Sequence, residues 1–309
     1  MNKRIKKKLD NIRSGLFQPF FRKMAGWNEI EEQIDTLHYF LNNTVDITTL
    51  PKASGLLRKV QLVDTEVLRI VLQILKKNGI DCWLDYGTLL GAVRHKGFIP
   101  WDDDLDVAIK RCDYDKALIV LKNELDPYKI EIGSVTLGRI WIHIWKAGVM
   151  LDIFPMDCVA ANSVSNYNEL KAKVFEYRRY YNNHRNQTDL KLAEKREEII
   201  GSPDYDKPLW YHNAEFNADG SIYDNTTIFP LVEMEFENYK FLVPNSCDEY
   251  LKQKYGSNYM DFPKTGVLHH KGGNDKGIYY NAVKSGTDLD ELLKYLKEIQ
   301  PLNKPNGDL

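Results

Sequence analysis

The sequence predicts an α/β (α+β) chain, a mixed sheet flanked by helices with helical and loop additions. Three observations predict it. Val60, Val63, Val67, Ile70, Val71, Ile74 and Leu75 recur at helical spacing through residues 59–78. Short apolar runs bounded by turn residues follow and alternate with helical stretches. Carboxylates then appear inside two of those apolar runs rather than in polar loops.

In chain order, residues 28–58 read as a helical or irregular lead-in, and Gly79 is placed to end the 59–78 helix. "IDCWLDYG" reads as a strand ending at Gly87-Thr88, and "TLLGAVRH" as a short helix. Leu105 to Ile109 is the next strand, after which Asp113 is expected to cap a helix running to about Leu125. "YKIEIGSV", "RIWIHIWK" and "VMLDIFPMD" read as strands, the last two joined at Ala147-Gly148. Residues 165–200 are helical and polar, whereas the Gly/Asn/Asp-rich region 201–228 reads as a long functional loop. "FPLVEMEFENYKFLVP" suggests a hairpin. Ser246 and Glu249 suggest a capping box for the helix "CDEYLKQKYG". A last helix is expected from Asp288 to Ile299, and no internal repeat is visible.

Composition narrows the function classes. The 309 residues are 43% hydrophobic and 28% charged, which is ordinary globular usage. A formal net charge of -2 argues against a nucleic-acid binder. Cys82, Cys112, Cys158 and Cys247 are widely spaced, with no zinc-ligand pairing, and read as reduced thiols of a cytoplasmic protein. The segment Val67 to Leu75 is too short to span a bilayer, and no signal peptide is visible. Residues 1–24 differ from the rest. Lys3, Arg4, Lys6, Lys7, Lys8, Arg13, Arg22 and Lys23 face the single acid Asp10 and are interspersed with Leu and Phe. That mixture suits peripheral contact with an anionic membrane, here the inner face, or a short docked helix at a polar terminus.

The chemistry concentrates in "FIPWDDDLDVAI". Asp102, Asp103, Asp104 and Asp106 lie between Phe98, Ile99 and Trp101 on one side and Leu105, Val107 and Ile109 on the other. Strand alternation puts Asp104 and Asp106 on one face and the aliphatic residues on the other. Burying such charges uncompensated costs several kcal/mol per ion, so a cation is expected between them. Magnesium, or manganese in its place, suits a few carboxylates plus phosphate oxygens. A calcium loop is excluded, because Val107 stands where that loop needs Gly and Asp113 where it needs Glu. A solvated acidic turn fits the apolar flanks poorly, and an isolated DxD of a nucleotide-sugar glycosyltransferase is decided by its surroundings. Those surroundings are informative. Gly87-Thr88 before a helix suits a phosphate. Asp152, alone inside "VMLDIFP", is either paired with a buried Arg or His or completes a metal site, and the metal site is the better fit. Gly-Thr, then Asp-x-Asp, then a later Asp on a neighbouring strand is the pattern of a nucleotidyltransferase-type fold.

"YGTLLGAVRHKGFIPWDDDLDVAI" closely resembles the signature of the LicD family, which is similar to the catalytic region of fukutin and fukutin-related protein. "LDIFPMD", "FPLVEMEFENYKFLVP" and "YLKQKYGSNYMDFP" resemble its downstream blocks, so the likeness covers roughly residues 60–265. The resemblance implies metal-dependent transfer of a phospho-group from a CDP-activated donor to a glycan, with phosphocholine on teichoic acid or lipopolysaccharide as one theme and ribitol phosphate as another. It implies Asp104 and Asp106 as metal-binding pair, Asp102 assisting, Asp152 as third carboxylate and Gly87-Thr88 as phosphate turn. The gap from Thr88 to Asp104 is longer than in many nucleotidyltransferases, and the insert is expected to shape the donor pocket.

On this reading residues 1–58 are a basic arm and lead-in, 59–300 the catalytic domain and 301–309 a loose tail. Arg94, His95 and Lys96 offer cations to the donor, with Arg94 the best phosphate grip, or form a solvated basic turn. Trp101 stacks on a base or choline, or packs, packing being the simpler role. Trp141, His143 and Trp145 share a strand face, which is more often core than a cation cage. His269-His270 with Lys271 is a further phosphate or acceptor candidate. The leading expectation is a CDP-donor phosphotransferase acting on a glycan or lipid-linked glycan. The alternatives are a DxD sugar transferase and a non-catalytic nucleotide-binding scaffold.

Overall fold

The computed structural model describes residues 29–135, 137–215, 220–263 and 280–299. The basic stretch 1–24, His269-His270-Lys271 and the tail 301–309 lie outside the described residues. The described chain falls into two compact units, 29–47 with 260–263, and 48–259 with 280–299. In the first, helix α1 (29–44) meets the second segment through Asn42, whose Oδ1 accepts from the Phe262 amide at 2.8 Å.

The larger unit is built around one mixed, seven-stranded sheet. Five strands lie in the order β1 (Cys82–Leu84), β2 (Leu105–Lys110), β5 (Val149–Ala160), β4 (Arg139–Ile144), β3 (Glu131–Val135). β2 and β5 run parallel; the other pairings are antiparallel. The far half of β5, from Met156, pairs instead with β6 (Pro208–His212), which carries β7 (Ile222–Asp224). Helix α2 (Gly55–Lys77) is the main buttress. Its periodic residues Val60, Val63, Val67, Ile70, Val71 and Ile74 are all buried. Burying each such side chain stabilises the fold by about 1.5–3 kcal/mol. Helix α4 (Tyr114–Leu125) joins the same core. Helices α5 (Tyr167–Asn183) and α6 (Asp189–Ile200) form a second core with β6 and β7.

Several expectations need correcting. The strand expected over "IDCWLDYG" is only Cys82–Leu84, because Asp85 accepts from the Tyr86 amide and starts helix α3 (Tyr86–His95). Gly87-Thr88 is therefore the first turn of α3 rather than the end of a strand. Asp113 and Ser246 stand at the N-caps of α4 and of α8 (Cys247–Tyr255), yet neither side chain caps. The polar run 165–200 is two helices, with Thr188 capping the second. Within region 201–228, expected as one long loop, the described residues include two strands, β6 and β7, and a helix. Trp210 and Tyr211 are buried in β6, and the short helix α7 (Asn225–Ile228) closes the segment. A hairpin, β8 (Val232–Phe236) and β9 (Tyr239–Val243), follows as expected. Helix α9 (Tyr280–Ser285) has no counterpart in the sequence reading. It precedes α10 (Leu289–Glu298), which Asp288 caps.

The turn of that hairpin fixes the insert between Thr88 and Asp104. The Glu237 amide donates to Lys96 O at 3.0 Å, and its Oε1 accepts from the Phe98 amide at 3.2 Å. Arg58 grips both Glu237 oxygens at 2.9 and 2.6 Å, and Lys52 adds a third contact at 2.8 Å. The loop leading into the acidic cluster is thus tied to α2 and to the hairpin before any ligand arrives.

Candidate active site

Strand register assembles the site. Asp106 on β2 is the direct partner of Asp152 on β5, and Asp152 of Trp141 on β4. Partners across neighbouring strands share a face, so these three side chains lie in a row on one side of the sheet. Leu105, Val107, Leu151 and Ile153 fill the opposite face and are buried. Asp104 immediately precedes β2 rather than lying in it.

Around this row the acids crowd together. One carboxylate oxygen from each of Asp102, Asp103 and Asp104 lies within 4.8 Å of the others. The α3 N-terminus abuts them: a Cβ at Gly87 would stand 2.7 Å from Asp102 Oδ2, so a larger residue there would push that carboxylate out of its present place. Thr88 is buried, and its hydroxyl accepts from the Asp106 amide at 2.8 Å, which aligns the start of β2 with α3. Asp85 is satisfied by the Tyr86 amide, by the Tyr250 hydroxyl at 2.9 Å and by His212 Nε2 at 2.9 Å.

Cations stand behind the acids. Arg139 pairs with Asp152 Oδ2, while Asp152 Oδ1 is buried with no hydrogen-bond partner among the described residues. The pairing with an Arg, the less favoured of the two expectations for Asp152, is thus what its Oδ2 shows, and Oδ1 is left open. Burial pulls Arg139 below its usual range, against the opposing fields of Asp106 and Asp104. Arg94 is buried rather than part of a solvated turn. It donates to His95 Nε2 at 3.0 Å and to Tyr259 O at 3.3 Å. Burial lowers it to about 10 although Asp102 raises it, and burial together with Arg94 lowers His95 to about 4, so that ring is neutral. Lys254 sits 3.5 Å from the centroid of the Tyr86 ring and acts on both Asp85 and Asp106.

These cations do not balance the acids. Burial, then Asp104, Asp102 and Asp85, push Asp106 well above the ordinary carboxylate range, and Lys254 only partly offsets them. A cluster offering oxygen donors alone, with surplus negative charge and an open buried oxygen, fits a hard divalent cation such as magnesium or manganese. Among the described residues it offers no thiolate or imidazole set for zinc.

Of the other expected residues, Trp101 packs against the main core at half burial. Trp141 and His143 stack at 4.7 Å, and Gly133 on β3 leaves room for the indole, since a Cβ there would meet it at 2.2 Å. Sequence reasoning missed Arg139, Lys254 and the buried Asp64 of α2. Asp64 had a readable signal: a carboxylate inside an apolar helical stripe, between Val60 and Val67.

A nucleotidyltransferase-type α/β domain with an acidic, oxygen-donor site is the class that this fold and site define. The model of the LicD/FKTN/FKRP nucleotidyltransferase domain matches residues 79–246, more than half of the chain, and the protein belongs to that family. It is similar to the lipopolysaccharide cholinephosphotransferase LicD of Haemophilus influenzae, 38% identical over 103 residues, covering 33% of this chain and 36% of that one. It is 26% identical over 211 residues to the mouse ribitol 5-phosphate transferase FKRP, covering 67% of this chain and 35% of the relative. The mouse ribitol-5-phosphate transferase FKTN is 32% identical over 117 residues, 38% of this chain and 23% of the relative. The chain thus spans about a third or less of the length of these relatives, which their names describe as transferases of phosphorylated groups. Among the described residues, no helix is long and apolar enough to cross a membrane.

Proposed function

We propose that this protein transfers a phospho-group, phosphocholine or a related phospho-alcohol or phospho-alditol, from a CDP-activated donor to a hydroxyl of a cell-surface or capsular glycan, releasing CMP. The observation that carries the reading is the row Asp106–Asp152 beside the Asp102–Asp104 cluster, on a chain whose family relatives move choline phosphate and ribitol phosphate.

Asp102, Asp104 and Asp106 would hold a magnesium or manganese ion, with Asp103 and Asp152 flanking it. When bound, such an ion neutralises the donor diphosphate and the leaving CMP. Arg94, within the field of Asp102, and Arg139, paired with Asp152, supply positive charge, and the Gly87 end of α3 adds the helix dipole. Thr88 and the Glu237 clamp hold these groups in place without the substrate, so little reorganisation accompanies the reaction. The acceptor oxygen forms the new bond to the phosphorus that carries the alcohol, the bond from that phosphorus to CMP breaks, and CMP departs with the bridging oxygen. Asp152 Oδ1, buried and without a hydrogen bond among the described residues, takes the hydroxyl proton while Arg139 fixes the other oxygen.

The test is product linkage. Purified protein, magnesium, a glycan acceptor fraction and CDP-choline, CDP-ribitol, CDP-glycerol or CDP-ethanolamine in turn are incubated and followed by phosphorus NMR. A phosphodiester in the glycan with stoichiometric CMP is expected for one donor. A sugar transferred from a UDP- or GDP-sugar, with no phosphorus in the product, would contradict the reading and restore the glycosyltransferase alternative.

A further inference from the structure

We propose that Asp64, a fully buried carboxylate on α2, belongs to the cation-holding set of the acidic loop and acts from its interior side, through a metal-bound water rather than as a direct ligand. The inference rests on the metal-dependent reading of the loop, and it concerns a residue outside the segment 79–246 that the family model matches.

Position comes first. Gln61, one turn before Asp64 and on the same helix face, donates to the Asp102 carbonyl at 2.9 Å. Asp64 Oδ1 accepts from the amide of Met150, two residues before Asp152 on β5. The α2 face is thus pinned at both ends of the site, beneath the acidic loop and beside the start of β5. Burial first, and then Asp104 with smaller effects from Asp103 and Asp102, push the Asp64 carboxyl well above the ordinary range, so it lies within the field of the acidic loop.

Satisfaction comes second. The single bond to Asp64 is long, 3.3 Å, and Oδ2 is buried with no hydrogen-bond partner among the described residues. Two residues on, Glu66 shows how the same helix treats a structural acid. Arg69 Nε meets Glu66 Oε2 at 2.7 Å, and the Tyr239 hydroxyl meets Oε1 at 2.7 Å. A buried anion is stable when its remaining lone pairs are met. Glu66 satisfies that condition within the protein, and Asp64 lacks the partner that a hydrated cation would bring.

Reach comes third. Asp102, Asp103 and Asp104 bring their oxygens within 4.8 Å of one another, and Asp64 stands outside that group. Magnesium dehydrates reluctantly and keeps several waters, and a carboxylate behind the loop is suited to accept from one of them. Partners of this kind typically contribute 10–100-fold to metal affinity.

Calorimetric titration of manganese into wild type, Asp64→Asn and Asp104→Asn tests the proposal, with unfolding midpoints recorded in chelator. Asp64→Asn is expected to weaken manganese binding by about tenfold or more and to raise the metal-free midpoint. A merely structural carboxyl would lower that midpoint and leave affinity unchanged. Wild-type affinity in Asp64→Asn with affinity lost in Asp104→Asn overturns the role of Asp64 alone. Wild-type affinity in both overturns the metal reading itself. If Asp64→Asn does not fold, manganese-soaked crystals of the wild-type protein decide. A metal-bound water within hydrogen-bond distance of Asp64 is expected, and a water shell that does not reach it refutes the proposal.

Discussion

Strand β5 carries two buried acids five residues apart, and their surroundings could hardly differ more. At Asp157 the charges close on themselves. Arg111 meets Asp157 at 2.8 Å through both Nε and Nη2, and Glu215 at 3.0 Å. Arg196 meets Glu215 at 2.8 Å, and the Tyr177 hydroxyl adds 3.0 Å. Two guanidinium groups face two carboxylates. At Asp152 Arg139, with Arg94 and Lys254 nearby, faces a crowd of acids, and among the described residues buried oxygens of Asp152 and Asp64 have no hydrogen-bond partner. The same sheet therefore matches buried carboxylates with buried guanidinium groups around Asp157. The surplus at the other end is what a ligand site requires.

Four substitutions and a pH series sharpen this contrast. The largest effect is expected at the surplus end. Asp104→Ala or Asp106→Ala should cost at least about 100-fold in turnover, with the unfolding midpoint in chelator unchanged or raised; transfer assays alongside thermal melts would show it. At the balanced end the effect should reverse. Asp157→Ala leaves Arg111 and Arg196 under-compensated and should cost about 3–5 kcal/mol of stability, while transfer per folded molecule is kept. Urea denaturation measures the first quantity and the assay the second.

The two ends should also titrate in opposite senses. Burial pushes Asp157 up, but Arg111 and Arg196 more than offset it, so its folded value lies below the ordinary one. Its contribution is present above about pH 4 and is lost as pH falls through the folded value. Asp106 lies well above its ordinary value, from burial and then its acidic neighbours. Its contribution is full below about pH 4 and is lost as pH rises through the folded value. In chelator, Asp157→Asn should therefore flatten the acid limb of a stability–pH curve and Asp106→Asn the limb toward neutrality. Parallel slopes in both variants would break the comparison. The smallest effect is expected at Thr88→Val, which removes the acceptor for the Asp106 amide and should cost about 1 kcal/mol, visible as a lower melting midpoint.

Much of the site was legible because its acids interrupt apolar, alternating runs, where charge has no solvent to explain it. Asp104, Asp106 and Asp152 announce themselves in that way. That Asp106 and Asp152 are direct partners was not legible, since it depends on β2 and β5 being parallel neighbours. Arg139 was hidden because a cation at the head of "RIWIHI" reads as a strand end. Asp64 carried a signal, an acid inside an apolar helical stripe, but where that face points depends on the contacts of Gln61 and Met150. Among the fold elements, β6 was masked by the Asn, Asp and Gly around it. Its partner was masked too, because β5 reads as ending near Asp157 yet continues to Ala160 and offers its far half as an edge.

The central claim is that the surplus acids are a cation clamp for a nucleotide diphosphate. The most direct measurement is a thermal-shift panel of CDP-choline, CDP-ribitol, CDP-glycerol, CDP-ethanolamine, UDP-glucose and GDP-mannose, each with and without magnesium. A ligand at 100 times its dissociation constant stabilises the folded state by about 2.7 kcal/mol, well within reach of the method. The account predicts a shift with one CDP-alcohol that requires magnesium and disappears in Asp104→Asn. A shift of equal size without magnesium, or one retained in Asp104→Asn, would contradict it.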